Sequence, residues 1–516
     1  MTKPTNVLFI TTDQQHWNTL GCLNPEVRTP NLDRLASRGT MFSRAYTVNP
    51  TCTPTRASWI TGTYPSQHGA YSIGTKLFEN TPVVNDVFRA HNVRTGLVGK
   101  AHFQPLVSTP EYTSLESYPI LHDLDFWRAY TGPFYGFDDF ELARMHTNES
   151  HVGQHYAIWM ESKGYKNWRN YFVPNCIEKP GDKFPHTTHV PPKPGEAWDI
   201  PEEIHHNAWI AERANAKLDE YKAAGQPFFL WASFFDPHPV YMVPEPYASM
   251  YDPAKVTVPE HTPGEFDDKP PHFGLTQRQN PDFSAYGNDP EGHHLHGAGS
   301  HLASRDVKAK NVAMMYGMVT MLDTYIGKIL DHLEALGLAD NTLIVFTTDH
   351  GDFWGQHGLR HKCLHHYEDL LRVPLIAVLP GQIPAGKISD ELQSTVDLAP
   401  TFLSFAGLPV PRWMTGLDRR ANWLGDASCA RRNVIVENRH NPVSFHCETL
   451  VNQRYKITVY RTADYGELFD LDSDPGELTN LWDKPEHQAL KQKLLLEFLQ
   501  ARMETQATLM PRIHGA

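Results

Sequence analysis

The chain has 516 residues, 40% hydrophobic and 20% charged, with 46 Lys and Arg against 59 Asp and Glu for a formal net charge of −13. That is a globular composition, long enough for a sizeable core, and not a disordered or coiled-coil one. The acidic balance argues against a protein that coats nucleic acid or anionic membrane, because both partners need dense positive charge.

In chain order, Val7-Leu8-Phe9-Ile10-Thr11-Thr12 reads as a buried strand that delivers Asp13 and Gln14 at its C-terminal end. Its apolar part is too short for a signal-peptide core or a membrane span, so a soluble, cytoplasmic protein is expected. Thr29-Pro30 reads as the N-cap and first residue of a helix with Leu32 and Leu35 on one face and Gly39 as the stop. Asn49 to Ser58 reads as a loop entering a helix, with Thr53 as N-cap and Pro54 next. Cys52 then lies at the positive end of the helix dipole with Arg56 in or near the first turn, which is a place for an anion.

Thr95-Gly96-Leu97-Val98 reads as a strand leading to Gly99-Lys100-Ala101-His102, and the run at 227–234 leads to Asp236-Pro237-His238. A long helix carries Val312, Met315, Val319, Leu322, Ile326, Ile329, Leu330 and Leu333 at helical spacing and is closed by Gly337. The strand at 341–348 repeats the design of the first and delivers Asp349-His350-Gly351. Alternating strands and helices predict an α/β fold around an open, mainly parallel sheet, with ligands bound beyond the carboxyl ends of the strands. The titratable residues stand at those ends.

The spans 146–206 and 240–305 are rich in Pro, His, Gly and Asn and read as loop excursions over the mouth of the site. The second contains Gly292-His293-His294-Leu295-His296, a weaker candidate for a second metal site. After Arg431, short strands at 434–436 and 455–459, a turn-rich stretch at 470–475 and a Leu-rich helix after Pro485 predict a small α+β subdomain. The expected division is a catalytic domain over 1–430 and a C-terminal subdomain over 431–516, whose tail from Thr505 extends outward to clasp a second subunit.

The six cysteines, at 22, 52, 176, 363, 429 and 447, include no C-x-x-C pair and form no disulfide framework, which points to a reducing compartment. Thiolate phosphatases need an arginine six positions after the cysteine, and Ser58 stands there. The stretch 96–101 lacks the spacing of a nucleotide phosphate loop. The 29 histidines are a first hint of metal or acid/base chemistry.

Cys52-Thr53-Pro54-Thr55-Arg56 resembles the C-x-P-x-R signature of type I sulfatases, in the alkaline phosphatase superfamily. Gly62-Thr63-Tyr64-Pro65, His68-Gly69, Gly99-Lys100-Ala101-His102, Pro237-His238-Pro239, Asp349-His350-Gly351, Lys362 with Tyr367-Glu368, and Arg372-Val373-Pro374-Leu375 follow in the order that sulfatases show. Asp397-Leu398-Ala399-Pro400-Thr401, Leu468-Phe469-Asp470-Leu471, Asp474-Pro475 and Asn480-Leu481 extend the resemblance almost to the C-terminus.

The resemblance implies an alkaline-phosphatase-like fold, a large mixed sheet sandwiched by helices with a small C-terminal subdomain, and an arylsulfatase-like sulfuric ester hydrolase. It implies that Cys52 is converted to formylglycine by a maturation enzyme and acts as an aldehyde hydrate, forming and then releasing a covalent sulfo-enzyme intermediate. Asp13, Gln14, Asp349 and His350 would hold one divalent metal, Ca²⁺ first and Mn²⁺ as the alternative. Arg56 and Lys100 would orient the hydrate, and His102 would be the base that drives release. His238 and Lys362 would grip the sulfuryl oxygens with Lys100 and protonate the leaving group. The other five cysteines are read as structural, and the expected partners are a small sulfate ester and further copies of the chain, as a dimer or tetramer.

The chain departs from many sulfatases in two places. Gln14 replaces a second Asp at the first strand end, which resembles the phosphonate monoester hydrolase and choline sulfatase branches. Ile73-Gly74 stands where those branches place an Asn. The alternative readings are therefore a phosphonate monoester or phosphodiester hydrolase with the same machinery, and a metal-binding homologue without turnover.

Overall fold

The computed structural model describes residues 5–144, 151–173, 195–279, 281–282, 299–362, 364–439 and 445–514. In chain order the strands are β1 (Asn6–Thr12), β2 (Thr40–Tyr46), β3 (Arg94–Gly99), β4 (Asp139–Leu142), β5 (Phe228–Ser233), β6 (Thr342–Thr348), β7 (Phe353–Trp354) and β8 (Arg360–His361). They continue with β9 (Arg372–Val378), β10 (Lys387–Ser389), β11 (Gln393–Ser394), β12 (Val434–Asn438), β13 (Cys447–Val451), β14 (Tyr455–Tyr460) and β15 (Gly466–Asp470).

The main sheet has the order β10-β2-β9-β6-β1-β5-β3-β4, with β11 also on β2. Every neighbouring pair is parallel except those of β9, which runs antiparallel to both β2 and β6. Alternation along the central strands sends successive side chains to opposite faces. Leu8 and Ile10 of β1, Leu230 of β5 and Phe346 of β6 enter one core; Val7, Phe9, Trp231 and Val345 enter the other. A strand buried on both faces needs a near-continuous apolar run, which is why these three are legible in sequence.

The helices Pro30–Ser37, His206–Ala224 and Arg305–Ala335 cover the first face. Cys52–Thr61, Val84–Ala90 and Leu398–Phe405 cover the second. Among the described residues no helix is long and apolar enough to cross a membrane. The span 146–206 is more than an excursion: it contains the helix Gln154–Ser162, whose Tyr156, Ala157 and Met160 are buried in the first core. Aromatic and methionine side chains at helical spacing do the work that the surrounding Pro and His obscured. His293, His294 and His296 lie outside the described residues, as do Cys176 and Cys363.

The C-terminal region forms an antiparallel sheet, β12-β13-β14-β15, with Ile435, Leu450, Ile457 and Leu468 in register across it. Leu494 and Phe498 of the helix Gln488–Glu504 pack on that sheet together with Val48 and Tyr64 from the N-terminal half. This is the predicted α+β subdomain.

A buried charge cluster sits beside the small hairpin of β7 and β8. His357 stacks on Tyr367 with ring centroids 3.7 Å apart, and its ring nitrogens lie 3.5 Å from Asp369 and 3.7 Å from Glu265. His16 faces the same Asp369 at 2.8 Å, and His261 faces Glu265 at 2.8 Å. Burial lowers the His357 pKa, but the two carboxylates outweigh it and hold it at about 9, against an ordinary 6.5. A raised folded-state value stabilises the protein fully below pH 6.5, and that contribution is lost as pH rises through about 9. The difference is about 3 kcal/mol. Denaturant midpoints measured from pH 6 to pH 10 should fall across this window, and His357→Gln should flatten the fall.

Candidate active site

Four parallel strands end on the same side of the sheet, and each ends in chemistry. β1 delivers Asp13 and Gln14, β3 delivers Lys100 and His102, β5 leads to Asp236 and His238, and β6 delivers Asp349 and His350. Gly99 ends β3 at φ +112°, where a Cβ would collide with the Ser233 carbonyl oxygen, so glycine is what lets Lys100 leave the sheet at this angle.

The helix Cys52–Thr61 enters from the second face with Cys52 in its first turn. Its N-cap is Thr51, not Thr53 as its sequence reads. The Thr51 N–H and hydroxyl both donate to Asn49 Oδ1, at 2.9 and 2.6 Å, and this local turn starts the helix two residues early. Thr53 is left inside the first turn, its buried hydroxyl without a hydrogen-bond partner among the described residues.

All the sequence-selected residues come together, and all are buried except His238, which is half-buried. Cys52 Sγ lies 3.0 Å from Lys362 Nζ, 3.3 Å from His350 Nε2 and 3.6 Å from Asp13 Oδ1. Lys362 also donates to His238 Nε2 at 3.2 Å, and His238 Nδ1 donates to the Pro239 carbonyl. Arg56 binds Asp349 Oδ2 through Nε at 2.8 Å, lies 3.6 Å from Asp13 Oδ2, and donates to the Lys100 carbonyl and Ser233 Oγ. Lys100 Nζ pairs with Asp13 Oδ2.

Three cations thus face two carboxylates around one thiol. Burial and then Asp13 push the Cys52 thiol up, against the pull of Lys100 and Lys362. Burial pulls His102 and His238 well below their ordinary range, and the neighbouring cations add to it.

The ligand atoms of Asp13, Cys52, Asp349 and His350 lie within 4.8 Å of one another. His350 Nδ1 donates to the Gly351 carbonyl at 2.8 Å, which leaves the lone pair on Nε2, toward Cys52. The Gln14 side-chain amide nitrogen donates to Asp352 Oδ1 at 2.8 Å, leaving Oε1 buried without a hydrogen-bond partner among the described residues. Two carboxylates, an orphaned amide oxygen and an imidazole lone pair fit one divalent cation.

A second buried group, His205, His206 and Asp236, has ligand atoms equally close. There His205 Nδ1 accepts the Asn207 N–H at 3.2 Å, so a neutral ring carries its proton on Nε2 and has no second lone pair to offer. The Asp236 carboxylate is held by Asn207 Nδ2 at 2.7 Å and faces His206 Nε2 at 3.3 Å, while its backbone carbonyl supports the first site by accepting the Asp13 N–H at 3.2 Å.

A sulfatase family model matches residues 5–408, and a model of the N-sulphoglucosamine sulphohydrolase C-terminal region matches residues 355–504. The chain belongs to the sulfatase family. An arylsulfatase of Clostridium perfringens is 27% identical over 97% of this chain and 95% of its own length. The multifunctional alkaline phosphatase superfamily protein PehA of Trinickia caryophylli is 28% identical over 94% of this chain and 92% of its own. Among solved structures, a phosphonate monoester hydrolase of Silicibacter pomeroyi aligns with a TM-score of 0.77 at 25% identity, covering 98% of this chain and 96% of that one. This sulfatase is a sulfuric ester hydrolase.

Sequence reasoning missed the residues that hold the sulfatase site from behind. Asp352 fixes the Gln14 amide and in turn accepts from Tyr241 at 2.5 Å. Ser233 bridges Arg56 to the Lys100 carbonyl. Asp352 follows Asp349 by three residues and was open to notice. Tyr241 and Ser233 carry no local signal, because only the fold brings them near.

Proposed function

We propose that the chain hydrolyses sulfate monoesters, aryl sulfates above all, with formylglycine made from Cys52 by a maturation enzyme as its nucleophile. The observation that carries this reading is Cys52 among Lys362, Lys100 and Arg56, beside a cation-binding set. One hydroxyl of the hydrated aldehyde attacks sulfur as the ester S–O bond breaks. The hydrogen-bonded Lys362–His238 pair, with Lys100, binds the sulfuryl oxygens and gives the departing alcohol its proton.

His102 then takes the proton of the second hydroxyl, the C=O bond re-forms, the bond from carbon to the sulfate oxygen breaks, and sulfate leaves. Water regenerates the hydrate. A cation held by Asp13, Gln14, Asp349 and His350, Ca²⁺ in first place and Mn²⁺ as the alternative, would supply Lewis acidity at the nucleophile. Mass spectrometry of the peptide holding Cys52 should find the aldehyde; an unmodified thiol in active protein would sink the mechanism, and an unmodified thiol in protein without turnover would leave the metal-binding homologue.

Gln14 and the likeness to a phosphonate monoester hydrolase favour a second reading, hydrolysis of phosphonate monoesters or phosphodiesters with the same residues. All three ester classes present one negative charge on tetrahedral oxygens. The ranking is therefore kinetic, and the aryl sulfate is expected to show the highest kcat/KM in a matched series.

The reading extends to assembly and place. Leu496, Leu499 and Met503 form an exposed apolar stripe on the C-terminal helix, and Leu509, Met510 and Ile513 are exposed in the tail beyond it. A homo-oligomer, dimer or tetramer, would cover both, and removal of residues 506–516 should lower the mass measured by light scattering to that of one chain. The free cysteines Cys22 and Cys429 at the surface support a reducing, cytoplasmic setting. The proposed division is a catalytic domain over 1–430 and a C-terminal subdomain over 431–516.

A further inference from the structure

His102 has φ +60°, in the left-handed region that side chains disfavour, and neither of its buried ring nitrogens has a hydrogen-bond partner among the described residues. Ring contacts of that kind do not hold it, so its backbone must. Three bonds hold the backbone of the two residues that follow it. The Phe103 N–H donates to Glu116 Oε1 at 2.9 Å, the Phe103 carbonyl accepts the Leu77 N–H at 2.9 Å, and the Gln104 carbonyl accepts Arg144 Nη1 at 2.6 Å. Arg144 Nη1 also pairs with Glu116 Oε2, and the two side chains are only 4% and 2% exposed. A buried ion pair is a costly way to stabilise a fold. Here it fixes one donor and one acceptor against the two residues that follow His102.

We propose that Glu116 and Arg144 are positioning residues for the release step: by clamping the turn at 102–104 they aim the His102 ring at the second hydroxyl of the nucleophile. The inference rests on the reading of His102 as the release base. It predicts a kinetic pattern that general damage to the site does not give, because kcat/KM reports steps through sulfuryl transfer whereas kcat also contains release.

The test uses full-length, aldehyde-bearing enzyme and an aryl sulfate. The variant is Glu116→Gln with Arg144→Met, which strands no buried charge; Glu116→Gln alone is the second variant if that one does not fold. The expected result is a kcat lower by about 10- to 100-fold, a nearly unchanged kcat/KM, and a sulfuryl adduct accumulating on the Cys52 peptide. In a His102→Ala background the same changes should add nothing, since both act on one step. Parallel loss of kcat and kcat/KM without adduct, or full additivity with His102→Ala, would overturn the proposal. If His102→Ala itself neither slows kcat nor builds adduct, the base assignment fails and takes this inference with it. If His102→Ala builds adduct and the clamp variant does not, only the clamp is wrong.

Discussion

Cys52→Ser is expected to release a single equivalent of alcohol per active site from an aryl sulfate and then stop. A serine hydroxyl in this position keeps the neighbours that matter for transfer, Lys362 at 3.0 Å from Sγ and His350 at 3.3 Å. It can therefore be sulfated. What it lacks is the second hydroxyl on the same carbon, and with it the only proton whose removal by His102 turns the ester into an aldehyde and free sulfate. Steady turnover should fall by about 10⁴-fold or more. A stopped-flow trace should show the burst followed by a flat line, and the serine peptide should carry the mass of one sulfuryl group. A serine variant that keeps turning over would show that release needs no geminal hydroxyl.

The contrast between β6 and β9 shows how much of this was open to a reading of the sequence. β6 is an unbroken apolar and β-branched run with Asp349 at its end, and both the strand and its chemical terminus could be read directly. β9 lies just as deep in the same sheet but contains Pro374, which has no N–H to give a ladder and argues against an interior strand. The structure resolves the conflict locally. β2 shifts register between Phe42 and Ala45, where Pro374 comes opposite, so the missing donor falls where the ladder is already interrupted.

The site divides in the same way. Asp13, Cys52, Lys100, His238, Asp349 and Lys362 carry charge or reactivity in motifs, and it is the order of those motifs along the chain that singles them out. Glu116, Arg144 and Tyr241 act through another residue, at separations along the chain that no local pattern encodes.

Asp349→Ala is expected to abolish activity in a way that added metal does not repair, whereas loss of activity on chelation should be reversed by it. The reason is that Asp349 serves two partners. One carboxylate oxygen accepts the Gln14 and His350 N–H groups at 2.9 and 3.1 Å within the cation-binding set, and the other accepts Arg56 Nε at 2.8 Å. Removing it takes away a hard oxygen ligand and also leaves Arg56, fully buried, with Asp13 at 3.6 Å as its one carboxylate partner among the described residues. Breaking a buried pair from one side costs about 3 kcal/mol, so the variant should also unfold at lower denaturant. Asp349→Asn offers no escape. An amide has one acceptor oxygen for two sets of donors, so whichever way it turns, its own N–H₂ faces either Arg56 or the Gln14 and His350 N–H groups. Both substitutions should therefore lose bound metal, measured by elemental analysis after dialysis, and stability together. An Asp349→Ala enzyme that keeps its metal and its turnover would remove this carboxylate from the centre of the site.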